Sequence, residues 1–148
     1  MSVFFTSDDL EKMDEEFDRE LKIIEEEGFS ANPFRRDYVE KISRLEDRAK
    51  ELEEAGLSDE EIAHAVYDER RELAKDYRES EPPLIREYTN YKSNQKYGDP
   101  IGPSYEQLYE KKHSYRKIIE GAWRPSDHLK ERFTVDDFKS WYMERRER

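Results

Sequence analysis

Cations and aromatic rings alternate through the second half of this 148-residue chain. Arg86, Lys92, Lys96, Lys111, Lys112, Arg116, Lys117 and Arg124 interleave with Tyr88, Tyr91, Tyr97, Tyr105, Tyr109, Tyr115 and Trp123. Lysine and arginine neutralise phosphates and aromatic faces stack on bases, so a nucleic-acid surface would need this mixture. Rings that fill the core of a small domain short of Leu and Val would leave the same pattern, and that is the plainer reading.

The other groups able to do chemistry are scattered. The three histidines, His64, His113 and His128, are never three or four residues apart, which excludes a zinc site built at helical spacing. His64 falls next to an apolar helical stripe and reads as a surface residue. His113 and His128 fall in loops, where each is a candidate general base, although a lone loop histidine is more often neither ligand nor catalyst. Glu25 to Glu27, Glu53-Glu54 and Asp59 to Glu61 read as solvated faces. No EF-hand loop, P-loop, dinucleotide fingerprint or zinc-deaminase signature occurs, and no metal or cofactor is expected.

The elements that must position these residues are helices. Thr6 with its following acids starts the first, Leu10, Met13, Phe17, Leu21 and Ile24 form its apolar stripe, and Gly28 stops it. Asn32 and Pro33 open a second, which Gly56 ends. Ser58 and Glu61 form a capping box for a third, with Ile62, Val66, Leu73 and Tyr77 inward and Pro82-Pro83 as its stop. The short connection makes helices two and three antiparallel neighbours, and the first helix is expected to pack on the same pair. Shorter helices follow: about Leu84 to Lys96 with Gly98 behind it, one capped by Ser104 and Gln107, one by Ser114, and a last one started by Thr134 and Asp137. Between the first two of these, Asp99-Pro100-Ile101-Gly102-Pro103-Ser104 is too rich in Pro and Gly to be helical.

The spacing thus predicts an all-α fold: a helical hairpin or three-helix unit over 1–81 followed by several shorter helices over 82–148, packed as one unit. Only 34% of residues are hydrophobic and 44% charged, which suits amphipathic helices better than a sheet buried on both faces. The net charge of −11 divides unevenly: 27 acids and 13 bases up to Glu81, 11 acids and 14 bases after it. The halves should therefore meet different partners, or each other. No cysteine is present, no stretch is apolar enough to cross a bilayer, and the start lacks the features of a signal peptide.

From Ser58 onward the chain resembles the C-terminal effector regions of bacterial polymorphic toxins of the Rhs type. The likeness begins in Asp59-Glu60-Glu61-Ile62-Ala63 and Arg70-Arg71-Glu72-Leu73. It is strongest in Lys96-Tyr97-Gly98-Asp99-Pro100-Ile101-Gly102-Pro103-Ser104, and returns in Lys112-His113-Ser114-Tyr115, Ile118-Ile119-Glu120 and Arg124-Pro125. Those regions look like Tyr-Gly-Asp-Pro-x-Gly-Pro-Ser/Thr, then Lys-x-Ser-Trp/Tyr, Ile-Ile-Glu and Ala-x-Arg. His113 occupies a variable position of that pattern, and Trp123 stands where it has a small residue.

The resemblance implies an antibacterial effector, made in the cytoplasm or secreted as part of a larger protein, and neutralised by an immunity protein. The rigid turn and the free N–H groups at the Ser104 helix start offer a place for phosphate or carboxylate. If the domain acts on nucleic acid, as a metal-independent nuclease for instance, the candidate catalytic residues are Asp99, Ser104 and Ser114. Tyr97, Lys112 and Arg124 would then bind substrate, the last two through phosphate. The competing expectation is a non-enzymatic helical interaction protein whose acidic half binds a basic partner.

Overall fold

A computed structural model describes residues 5–27, 35–125 and 134–147, and these form an all-α protein. Its helices are α1 (Ser7–Glu27), α2 (Arg35–Ser43), α3 (Leu45–Glu54), α4 (Asp59–Ser80), α5 (Pro83–Tyr97), α6 (Tyr105–Lys112), α7 (Tyr115–Ala122) and α8 (Val135–Glu147). None is long and apolar enough to cross a membrane.

Side-chain caps set most of the starts. Thr6 and Asp9 exchange two 3.1 Å hydrogen bonds at α1, and Ser58 and Glu61 form a complete capping box at α4. The segment expected as one helix ending at Gly56 is broken at Arg44. The Ser43 hydroxyl turns back to donate to the Glu40 carbonyl at 2.6 Å, a local bond that competes with the helical ladder and bends it.

Two apolar clusters hold these helices. One joins α2, α3, α4 and α7 through Ile42, Leu45, Ile62, Val66, Ile118 and Ile119, all buried. The other joins α1, α5 and α8 through Ile24, Leu84, Ile85, Tyr88, Phe138 and Tyr142. Helix α1 therefore packs against α5 and α8, not on the α3–α4 pair as its place in the sequence suggested. Phe17 stacks on Tyr142 with ring centroids 4.0 Å apart, and Asp14 accepts from the Tyr142 hydroxyl at 2.6 Å and from Arg146 Nε at 2.9 Å.

The start of α5 explains part of this pairing. Pro82 stands at its N-cap and has no side chain able to cap. Glu20, buried in the middle of α1, accepts from the backbone N–H groups of Leu84 at 3.2 Å and Ile85 at 2.8 Å. A carboxylate at a helix N-terminus satisfies orphan donors and faces the positive end of the dipole. Removing it in Glu20→Ala leaves two buried N–H groups without acceptors, an expected loss of about 2 kcal/mol in urea unfolding. Glu20→Gln, which keeps an acceptor oxygen, should lose less than half of that.

Candidate functional site

The turn that carries the strongest sequence likeness begins where Gly98, at φ 71°, lets α5 end in a left-handed residue. Asp99 then folds the chain on itself, its Oδ1 accepting from the N–H groups of Ile101 at 2.8 Å and Gly102 at 3.3 Å. Helix α4 supplies the clamp. Arg71 donates to the carbonyls of Pro103 at 2.7 Å and Gly102 at 3.3 Å, and to Asp99 Oδ2 at 3.1 Å. The Tyr67 hydroxyl also donates to the Pro103 carbonyl. Arg78 reaches the Pro100 carbonyl and Asn90 Oδ1, both at 2.6 Å. Burial pushes the Asp99 carboxyl up, but the Ile101 N–H and the Arg71 guanidinium outweigh it, and the group lies below the ordinary aspartate value.

Asp99 thus spends both carboxylate oxygens on the turn. Ser104 is occupied in the same way: its Oγ accepts from Gln107 N at 3.1 Å and its N–H donates to Gln107 Oε1 at 2.8 Å. Gln107 in turn donates to the Tyr97 carbonyl at 3.1 Å. Ser114 caps α7, with Oγ accepting from Lys117 N at 3.3 Å. A serine nucleophile needs a base in hydrogen-bond reach. Among the described residues, no histidine or carboxylate hydrogen-bonds to either serine.

The candidates divide between the two ends of α6, whose eight residues span roughly 12 Å. Tyr97, Asp99 and Ser104 lie at its start; Lys112 and Ser114 lie at its end, and the structure brings Arg124 to that second group. At this corner Lys112 extends over α7, so that a Cβ added to Gly121 would stand 2.8 Å from its Nζ. From α4, Arg70 donates to the carbonyls of Gly121 at 2.8 Å, Ala122 at 2.9 Å and Arg124 at 2.8 Å, closing the open end of α7. Burial pushes the half-buried Lys112 ammonium below its ordinary value, and Arg70, Lys111, Arg124 and Lys117 push the same way. Lys112 forms no ion pair among the described residues. A cluster of cations without a carboxylate to neutralise it is suited to an anion such as phosphate.

No group of three or more His, Asp or Glu side chains among the described residues could hold a metal ion. His64 and His113 are exposed, and His128 lies outside the described residues. An open groove of about 700 Å³ runs between α3 and α4, and Arg48 pairs with Glu69 across it at 3.0 Å. Sequence reasoning missed Arg70, Arg71 and Arg78 as positioning residues. The available signal was their place on one helix of the acidic half, with Arg71 four residues after Tyr67.

No family model matches the chain, and no curated protein or solved structure matches it either.

Proposed function

We propose that the chain is an antibacterial effector module that engages nucleic acid through the cationic corner formed by Lys112, Arg70 and Arg124. The observation that supports this reading is Lys112, half-buried among four other cations with no carboxylate partner, in a molecule whose net charge is −11. Phosphate would relieve that repulsion, while the Arg70 clamp on the end of α7 fixes the corner. An immunity protein that neutralised the module would be expected to present carboxylates here.

Lys112→Glu and Arg124→Glu are expected to weaken binding to a single-stranded 20-mer by about tenfold each, and to lower the salt dependence of the affinity by about one ion per lost phosphate contact. Growth arrest in bacteria that express the full chain should ease in parallel. Gly121→Ala separates the corner from the fold. Its methyl takes the space against the Lys112 ammonium and the flexible lysine stem swings away, while α7 gains up to about 1 kcal/mol of helix propensity. Affinity should fall and thermal stability should hold or rise. A chain that binds the oligonucleotide equally well with all three changes would reject the corner, and a harmless chain that captures a basic partner would favour the interaction-protein reading.

A further inference from the structure

A second site lies along α6, on the face that carries Tyr105, Glu106, Tyr109 and Glu110. Here a pocket of about 450 Å³ is walled by three tyrosine rings, Tyr105, Tyr109 and Tyr115. Their positions are fixed by ring contacts: Tyr109 stacks on Tyr115 at 5.0 Å between centroids, and His64 stacks on Tyr105 at 3.6 Å. Glu60 from the first turn of α4 and Glu106 and Glu110 from α6 bring carboxylates to the same pocket. His113, held at φ 50° as the C-cap of α6, completes the wall, and among the described residues no lysine or arginine contributes to it.

This lining selects among ligand classes. Three carboxylates reject an anion, and a neutral apolar guest would have to desolvate them without compensation. The side chains are not grouped closely enough to hold a metal ion. Aromatic faces beside carboxylates are suited to a bulky, weakly hydrated cation, which the ring quadrupoles and the acids attract together. The Tyr105 hydroxyl is buried and finds no hydrogen-bond partner among the described residues. Burial, Tyr109 and Glu60 push the Tyr115 phenol up to about 12, so that ring stays neutral. Arg116, next to Tyr115 in the chain, pairs with Asp59 at 3.7 Å.

We infer that this pocket binds an organic cation, an ammonium or guanidinium head group, between the Tyr105, Tyr109 and Tyr115 rings and the Glu60, Glu106 and Glu110 carboxylates. The site does not depend on the nucleic-acid reading, because Lys112, Arg70 and Arg124 are not among the described residues that line it.

Calorimetric titration of the full chain tests it with choline, with a Gly-Gly-Lys-Gly-Gly peptide blocked at both ends, and with the trimethyllysine and norleucine versions of that peptide. Saturable binding of the cationic probes is expected at a Kd between about 10 μM and 1 mM, with the neutral norleucine peptide at least about tenfold weaker. Tighter binding of the lysine peptides than of choline would identify a protein side chain as the ligand; the reverse order would identify a free small amine. Glu60→Gln with Glu110→Gln, both at exposed positions, should weaken binding by about tenfold. Tyr109→Leu should do the same if the chain stays folded, and the glutamine pair decides the matter if it does not. Equal binding of the norleucine and lysine peptides, affinity unchanged by the glutamine pair, or no saturable binding of any cation by the folded protein would overturn the inference.

Discussion

Replacing Arg71 with methionine is expected to lower the unfolding free energy by about 3 kcal/mol, read from urea denaturation followed by helical circular dichroism. Methionine keeps much of the apolar stem and removes the guanidinium that joins α4 to Asp99, Gly102 and Pro103. The loss leaves a part-buried carboxylate without its counter-charge, takes the donor from the Gly102 carbonyl and leaves Pro103 with Tyr67 alone, which is why it exceeds the effect of deleting a surface ion pair. Asp99→Asn should cost less, about 1 kcal/mol, because an amide oxygen can still accept from the Ile101 and Gly102 N–H groups. An Arg71→Met protein as stable as the parent would show that the turn stands without α4. An Asp99→Ala variant would lose the bonds to Arg71, Ile101 and Gly102 together. Lost activity there would follow from an unlatched turn, so Lys112→Glu and Gly121→Ala report on the cationic corner more cleanly.

The second large effect is a dependence of stability on pH centred on Glu81. This residue ends α4 before Pro82 and is buried, with Thr89 Oγ1 donating to it at 3.2 Å and Arg78 Nε 3.4 Å away. Burial pushes its carboxyl from 4.5 up to about 7, against the pull of Arg78, Thr89, Arg86 and Arg35. Burial likewise pushes Arg78 below its ordinary value, so both members of the pair are driven toward neutrality and desolvation exceeds their attraction. An unfolded glutamate ionises near 4.5 and the folded one only near 7, a difference of about 3 kcal/mol in favour of the protonated folded state. The contribution is fully present below pH 4.5 and is lost as pH rises through 7.

Between pH 5.5 and 8 the protein should therefore lose about 2 kcal/mol of stability from this group. Glu81→Gln should abolish that part of the slope, since an amide does not titrate. A parent protein equally stable at both values would contradict the assignment. At lower pH the sign reverses. Asp14, held below its ordinary value by the Tyr142 hydroxyl and Arg146, and Asp99 both lose their stabilising charge as they protonate. Greatest stability is thus expected on the acid side of neutrality.

What was legible in the sequence was local. Ser58 with Glu61, Ser104 with Gln107 and Ser114 are read as caps from types three residues apart, and each of those bonds is present. Thr134 likewise accepts from Asp137 N at 3.1 Å. Gly98 is read as a stop because the left-handed conformation suits it, whereas His113 takes the same role at φ 50° with nothing in its type to announce it. The break at Arg44 depends on which way the Ser43 hydroxyl turns, and a hydroxyl in a helix can also point to solvent. Longer-range matters were less accessible. The cap that Glu20 gives α5 joins residues 64 and 65 positions apart, and an acid in a strongly acidic helix gives no sign of being inward. For the candidate site, the sequence treated six residues as one group. Seeing that Asp99 and Ser104 are committed to backbone, and that Lys112 lies a helix length away, required the positions of Arg71, Gln107 and Gly121.

The way the two clusters use the chain bears on the order in which it can fold as it is made. The buried residues of the cluster built on Ile42, Val66 and Ile118 all fall within residues 42–122, whereas those of the cluster built on Ile24, Tyr88 and Phe138 come from both ends of the described chain. Among these helices α1 emerges first during synthesis, yet its apolar stripe has no complete partner surface until α8 leaves the ribosome. For most of that time the stripe is exposed, and exposed apolar surface on a nascent chain invites misassociation. The dense acids around that stripe would keep neighbouring nascent chains apart by charge repulsion through the wait, which gives the acidity of the first helix a purpose before the molecule has any finished shape.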